Sequence, residues 1–103
     1  MAQQIIWGCV NKNGSIHSGT GFTPVSGGKG FCDIVYKIPF KTTPAVVAIQ
    51  NHADWTNWTY DRGDTRDNVV LVASDPTKCK LTTGNGNGNR EDRNFSFIAI
   101  GEV

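Results

Sequence analysis

Residues 51–68, NHADWTNWTYDRGDTRDN, crowd aromatic rings among hydrogen-bonding side chains and hold two of the chain's three tryptophans. A sugar presents an apolar C–H face and a rim of hydroxyls, so its site needs a flat ring beside planar donors and acceptors. Trp55, Trp58 and Tyr60 could supply the ring. This pattern predicts a carbohydrate-binding site. The candidate ligand-binding residues are His52, Asp54, Trp55, Asn57, Trp58, Tyr60 and Asp61.

Two apolar runs flank this segment, PAVVAIQ at residues 44–50 and VVLVA at residues 69–73. Their length and β-branched content are typical of buried strands. The segment between them must therefore be a loop, or a hairpin whose tip carries the aromatic and polar side chains. A connection this long in a compact domain is more often functional than idle. The aromatic loop is therefore the first candidate for function.

The rest of the chain is a series of short strand patterns separated by turn residues such as Asn-Gly at 13–14, SGGKG at 26–30 and GNGNGN at 84–89. No window has convincing helical periodicity. Seven or eight strands, with turn signals about every 8 to 12 residues, predict an all-β fold, an antiparallel β-sandwich. The predicted strands are residues 4–10, 15–22, 31–40, 45–50, 69–74, 78–83 and 94–101.

Two of these strands have informative faces. Residues 31–40 alternate with period two, which predicts a half-exposed strand. The last strand is apolar on both faces, so we expect it to be central or covered by a partner. A small sandwich with such a strand gains by self-association, and we expect a homo-oligomer, with a trimer favoured. The predicted core face of the earlier strand carries Cys32, Ile34, Tyr36, Ile38 and Phe40, and the two faces of the last carry Phe95, Phe97 and Ala99 against Ser96, Ile98 and Ile100.

Composition limits the remaining possibilities. A chain of 103 residues with 38% hydrophobic residues makes a single domain, residues 1–103. A net charge of +1 provides no field to attract nucleic acid. No apolar stretch approaches the roughly 20 residues that span a bilayer, and the N-terminus lacks the pattern of a signal peptide. We therefore expect a soluble protein without membrane insertion, either cytoplasmic or released by a route that needs no signal peptide.

The three cysteines, Cys9, Cys32 and Cys79, are far apart and form no C-x-x-C pair. This spacing argues against zinc bound through sulfur. Cys9 and Cys32 alternate with apolar residues in predicted strands, which favours buried free thiols that act as small hydrophobes. A single disulfide with one thiol left over is the alternative.

Catalysis and metal binding have weak support. His17 and His52 are the only histidines, and neither G-x-S-x-G nor H-E-x-x-H occurs. Asp61 and Asp64 could serve glycoside hydrolysis in principle, but so short a chain rarely builds the enclosed cleft. Together with Asp67 these acids also raise the alternative of calcium, although the interspersed arginines argue against an EF-hand loop. We expect no enzyme activity and no cofactor.

Several short motifs together resemble a known class of module. They include G-x-V-N-x-x-G-x-I-x-S-G-x-G-F at residues 8–22, D-T-R-D-N at 64–68, T-G-N at 83–85 and D-R-x-F-S-F-I-A-I-G at 92–101. Their order resembles small bacterial and phage modules at the C-termini of collagen-like, tail-fibre-like and adhesin-like proteins, which are broadly similar to trimeric C1q-like heads. I-x-F at 38–40, P-x-V-V at 44–47 and S-F-I-A-I at 96–100 are similar to H-type lectins, six-stranded sandwiches that trimerise or hexamerise and bind sugars.

The resemblance implies a lectin-like or C1q-like sandwich that assembles as a trimer. In such modules D-T-R-D-N recurs while the segment before it varies, so residues 52–60 are the better candidates for specificity. Trp7, within a strand, is assigned to the core or to a subunit interface. The residues that the resemblance implies as scaffold are Asp64, Arg66, Asp67, Asn68, Asp92 and Arg93.

These observations predict a lectin that recognises glycans through its aromatic loop and gains avidity by oligomerisation. The alternative is a non-catalytic trimeric head or capping domain that attaches to protein surfaces. In that case the loop aromatics would be interface anchors, because Trp, Tyr and Arg dominate protein hot spots.

Overall fold

The structure, a computed structural model, describes residues 2–52 and 54–103. Over these residues the chain forms eight strands in two packed four-stranded antiparallel sheets, which confirms the predicted all-β sandwich. No helix in these two ranges is long and apolar enough to cross a membrane. The strands are β1 (Gln3–Val10), β2 (Ile16–Thr20), β3 (Phe22–Ser26), β4 (Phe31–Tyr36), β5 (Ala45–Asn51), β6 (Asn68–Ser74), β7 (Lys78–Gly84) and β8 (Asn94–Glu102).

The first sheet has the strand order β2-β1-β8-β5, and the second has the order β3-β4-β7-β6. The last strand, β8, is therefore central in its sheet, as predicted from its two apolar faces. Its register places Ile98 opposite Trp7 on β1 and opposite Val47 on β5. These three side chains share one row because residues paired directly across a sheet point to the same face.

The hydrophobic core fills the space between the sheets. Phe22 and Phe97 meet edge to face with ring centroids 4.9 Å apart. Gly8 is required beside them, because a Cβ at this position would overlap the Phe22 ring. The buried core consists of Ile6, Val10, Phe22, Ile34, Tyr36, Phe40, Cys79, Leu81, Phe95, Phe97 and Ala99.

The predicted strand 15–22 is two strands, β2 and β3, which lie in different sheets. Gly19 and Gly21, at φ of 98° and 93°, occupy the left-handed region that favours glycine. A Cβ on Gly19 would overlap the carbonyl oxygen of Trp7, so Gly19 marks a close approach of the two backbones. The chain changes sheets here, between Thr20 and Phe22.

Strand β4 ends at Tyr36, four residues earlier than predicted. Pro39 has no N–H to donate to a sheet ladder, and the chain leaves the sheet before it. Ile38 is consequently 62% exposed and does not belong to the core face, which corrects the prediction. Phe40 returns to the core, where its ring packs edge to face on Tyr36 at 5.0 Å.

All three cysteines are free thiols, so the disulfide alternative is wrong. Cys79 is buried, and Cys9 and Cys32 are half-buried. Burial raises the pKa of the Cys32 thiol to about 11, which keeps it protonated and unreactive near neutral pH. The thiols act here as small hydrophobic side chains.

Candidate functional site

The aromatic loop connects β5, in the first sheet, to β6, in the second, so it crosses from one sheet to the other at one end of the sandwich. At the same end β1 finishes, β7 finishes and β8 begins, as the pairings of Val10 with Phe95 and of Asn51 with Asn94 require. The turn at residues 11–15 and the loop at residues 85–93 therefore lie at this end too. We call it the loop end of the sandwich.

An open cleft of about 330 Å³ lies at the loop end. Among the seven predicted site residues, His52, Asp54, Asn57 and Tyr60 line it, whereas Trp55, Trp58 and Asp61 do not. The cleft is polar, with charges of both signs. Its lining residues are Lys12, Asn51, His52, Asp54, Asn57, Tyr60, Asp92, Arg93 and Asn94.

A buried asparagine links the start of β8 to the turn after β1 and to the end of β5. Asn94 is only 4% exposed, and its Oδ1 accepts the backbone N–H of Lys12 at 2.8 Å. Its Nδ2 donates to Oδ1 of Asn51 at 3.3 Å, across the β5–β8 pair. Because these bonds cross-link three chain segments, they hold this part of the cleft in one arrangement.

The aromatic wall of the cleft is Tyr60, whose hydroxyl lies 2.9 Å from Nε2 of His52. The Nδ1 atom of His52 contacts Arg93 and lies 3.3 Å from Oδ2 of Asp67. Arg93 and Asp67 form an ion pair at 3.5 Å, with side chains only 16% and 9% exposed. Arg93 also donates to Oε1 of Gln50 at 3.3 Å. A mostly buried ion pair thus fixes the histidine, which in turn fixes the tyrosine.

Trp55 is half-buried against the β1–β2 hairpin, contrary to the prediction of an exposed loop ring. Its Nε1–H donates to Oδ1 of Asn11 at 2.8 Å, and its ring stacks on His17 at 4.7 Å with planes 15° apart. Its backbone N–H donates to Asn51, and its φ of 23° is uncommon outside glycine. Trp55 anchors the loop to the sheet.

Trp58, by contrast, is 92% exposed at the tip of the loop. Turn hydrogen bonds shape this tip: the N–H of Asn57 donates to the carbonyl of Asp54 at 2.8 Å, and that of Tyr60 to the carbonyl of Asn57 at 3.2 Å. Asp61 is also exposed. Its loop neighbours Asn57 and Tyr60 line the cleft, but Trp58 itself does not.

The D-T-R-D-N segment is held by its own charges. Arg66 forms a bidentate pair with Asp64, Nε to Oδ1 at 2.9 Å and Nη2 to Oδ2 at 2.7 Å. This hydrogen bonding lowers the pKa of Asp64 to about 2. A Cβ on Gly86 would overlap the Asp64 carboxylate, so this segment packs against the Gly-Asn loop. Asp92 has a comparable structural contact, because its Oδ1 accepts the N–H of Gly30 at 2.7 Å.

Sequence reasoning missed Lys12, Asn51 and Asn94 as cleft residues, and it assigned Asp92 and Arg93, which also line the cleft, to the scaffold alone. An asparagine at the end of one predicted strand and another at the start of a later strand was a usable signal, but only the β5–β8 register brings them together. Lys12 lies 82 residues from Asn94. No local pattern could indicate that contact.

In the described ranges, no three or more His, Cys, Asp or Glu side chains form a group that could hold a metal ion. Comparisons of the chain with family models, curated proteins and solved structures found no match. The function must therefore be argued from the geometry of the chain itself. That geometry offers a polar cleft with an oriented tyrosine in its wall and an exposed tryptophan at the tip of the same loop.

Proposed function

We propose that this protein is a carbohydrate-binding module, a lectin, with its ligand in the cleft at the loop end. One observation carries the proposal: the cleft combines a fixed aromatic ring, that of Tyr60, with amide, carboxylate and ammonium groups. A saccharide needs this combination, because its C–H face stacks on a ring while its hydroxyls require donors and acceptors on the same side.

The polar groups of the cleft suit hydroxyls better than a single charge. Asp54 and Asp92 offer acceptors, Lys12 offers donors, and the Asn57 amide offers both. The lining includes two carboxylates, Asp54 and Asp92, and two cationic side chains, Lys12 and Arg93, so it has no strong preference for an anion or a cation. A volume of about 330 Å³ is at the lower end of the range for small-molecule sites, which suits one or two sugar rings.

The hydrogen-bond network behind the cleft supports the same proposal. Tyr60 is oriented by His52, and His52 by the Asp67–Arg93 pair. A wall oriented before the ligand arrives reduces the entropy lost on binding. A shallow, open site of this kind still binds a single sugar weakly, so the proposed lectin depends on several sites acting together.

The exposure of Trp58 favours a second candidate function, attachment to a protein surface as a non-catalytic head. An almost fully exposed indole at a loop tip resembles the aromatic anchors that dominate protein interfaces. The two functions predict different results, because a glycan contacts the Tyr60 wall whereas a protein partner contacts the Trp58 tip first.

A glycan array identifies the ligand, and titration calorimetry with the best glycan measures the effect of each variant. Tyr60→Ala is expected to weaken binding by about 1–3 kcal/mol per site, by analogy with bases stacked on aromatic rings. Tyr60→Phe keeps the ring and should keep most of the affinity. Lys37→Ala is the control that should change nothing. Lys37 is exposed and follows β4 at the end of the sandwich opposite the cleft.

Two outcomes contradict the proposal. One is an array on which no glycan binds above background. The other is a glycan whose affinity is unchanged in both Tyr60→Ala and Asn57→Ala. Retention of glycan binding in Trp58→Ala, combined with loss in Tyr60→Ala, assigns the ligand to the cleft and not to the tip.

A further inference from the structure

The outer face of the first sheet is apolar across three neighbouring strands, β1, β8 and β5. Five of its large side chains are more than half exposed: Ile5 at 61%, Trp7 at 51%, Val47 at 72%, Ile49 at 68% and Ile98 at 52%. Trp7 is therefore not a core residue. The face, called here the apolar face, consists of the rows Ile5–Ile100–Ala45, Trp7–Ile98–Val47 and Cys9–Ser96–Ile49.

The apolar face is large for a surface that faces water. With Ile100, which is 37% exposed, its large side chains present about 600 Å² of apolar area, the upper end of the range for the largest patch of a monomer. A standard interface between two proteins covers about 800 Å² per partner. The large side chains of the apolar face alone supply about three-quarters of that area.

The chemistry of the apolar face selects a second copy as its partner. None of its nine residues is charged. In a two-fold contact the same patch must match itself, so like charges would meet across it, and a neutral face avoids that repulsion. A hollow of about 290 Å³ lies beside Trp7, where the small side chain of Ser96 separates Cys9 from Ile49. Projecting side chains of another copy can fill such a hollow.

The outer face of the second sheet is different. Asp33, Lys78 and Lys80 project from it, and Lys78 pairs with Asp33 at 4.0 Å. Its aromatic ring, Phe31, is covered by the chain itself, with Lys80 and Arg90 over the ring at 5.3 and 4.7 Å. The protein thus shields an aromatic ring on one outer face and leaves Trp7 exposed on the other.

We propose that the apolar face is the interface between copies of this chain, with Trp7 as its aromatic anchor. The inference rests on this face and not on the proposed glycan site. None of the cleft residues belongs to the face as defined, although the Asn51–Asn94 pair of the cleft comes directly after the Cys9–Ser96–Ile49 row. If the cleft binds glycans, the interface also supplies the several linked sites that weak binding requires.

Sedimentation equilibrium of the full chain between about 1 and 100 µM tests the inference. The expected mass for the natural sequence is a multiple of 11.2 kDa. Val47→Lys should weaken association at least about tenfold, because it places a charge in the contact. Val70→Lys is the matched control: Val70 is 50% exposed on the edge strand β6 of the other sheet, and its substitution should leave the mass unchanged.

A thermal midpoint at the lowest concentration checks that each variant is folded. Ile49→Thr, which keeps a β-branched residue in β5, provides a milder second disruption and should also weaken association. A monomeric natural chain at the highest concentration overturns the inference. It is equally overturned by an oligomer that the folded face variants do not weaken, or that Val70→Lys weakens as much as Val47→Lys does.

Discussion

The apolar face and the loop end are both exposed surfaces, but they are built in different ways. On the face, each neighbour is set by backbone pairing, which places Trp7 beside Ile98 and Ile98 beside Val47. At the loop end, each neighbour is set by a side-chain hydrogen bond between distant residues, such as that from Trp55 to Asn11. Alternation along a strand therefore carries information about the first surface and very little about the second.

The largest expected effect is the difference in unfolding free energy between substitutions on the two faces of one strand, β8. Phe97 is 2% exposed and Ile98 is 52% exposed. Phe97→Ala should lower the free energy of unfolding by about 3–5 kcal/mol at any protein concentration, since it leaves a core cavity. Ile98→Ala should cost less than about 1 kcal/mol in a dilute sample, with a loss that grows with concentration if the apolar face is covered.

Urea unfolding at two protein concentrations measures both changes. Equal losses for the two variants in the dilute sample would show that Ile98 is buried within a single chain. The comparison between the inner and outer faces of β8 would then be wrong.

The strand faces could be predicted from sequence wherever the alternation is uninterrupted. Period two alone predicts that Phe95, Phe97 and Ala99 share one face of β8, with Ile98 and Ile100 on the other, and the structure shows that the first face is the buried one. Strand prediction failed where a proline or glycine interrupted the alternation and the sequence did not show whether the strand would end or change sheets. Pro39 ended β4 early, and Gly21 moved the chain to the other sheet, because each changed the backbone more than the side-chain pattern indicated.

An intermediate difference in unfolding free energy is expected between substitutions of the two tryptophans of the aromatic loop. Trp55→Ala should lower the free energy of unfolding by about 1–3 kcal/mol, because it removes a half-buried ring, its stacking on His17 and a hydrogen bond. Trp58→Ala should change it by less than about 0.5 kcal/mol, because the ring is 92% exposed. Urea unfolding measures both values.

Trp55→Phe refines this test, because it keeps a ring against His17 and loses only the indole hydrogen bond, worth about 1 kcal/mol. A loss for Trp58→Ala as large as that for Trp55→Ala would mean that Trp58 also packs against the domain. The loop would then have two anchors and no free tip.

The sequence could not distinguish these tryptophans, because both lie among polar residues in the same loop. What separates them is the position of the β1–β2 hairpin, which presents Asn11 and His17 to Trp55 and lies about 40 residues earlier in the chain. The loop as a functional candidate was thus predictable, and four of its residues do line the cleft. The cleft residues contributed by other segments, Lys12 from the turn after β1 and Asn94 from the start of β8, were not.

The smallest expected effect belongs to the exposed pair of Asp64 and Arg66 at the loop end. The side-chain hydrogen bond from Arg66 lowers the pKa of Asp64 to about 2, from an ordinary value of about 3.9. Because the folded-state pKa is depressed, the stabilisation is present above about pH 4 and is lost as the pH falls towards about 2. Solvent screens the attraction between two exposed charges. We therefore expect that removing the Arg66 side chain changes the unfolding midpoint little near neutral pH.

Arg66→Ala should return the pKa of Asp64 towards its ordinary value, as measured by NMR titration of the carboxyl carbon. Arg66→Lys is the matched control, because it keeps the positive charge but cannot form the two parallel hydrogen bonds, and it should give an intermediate pKa. A pKa that stays near 2 in Arg66→Ala would transfer the cause to other groups around the carboxylate. The Asp64–Arg66 pair would then not hold the D-T-R-D-N segment in place. In that case side-chain pairing would not define this part of the loop end, and the contrast with the apolar face, which backbone pairing defines, would be weaker.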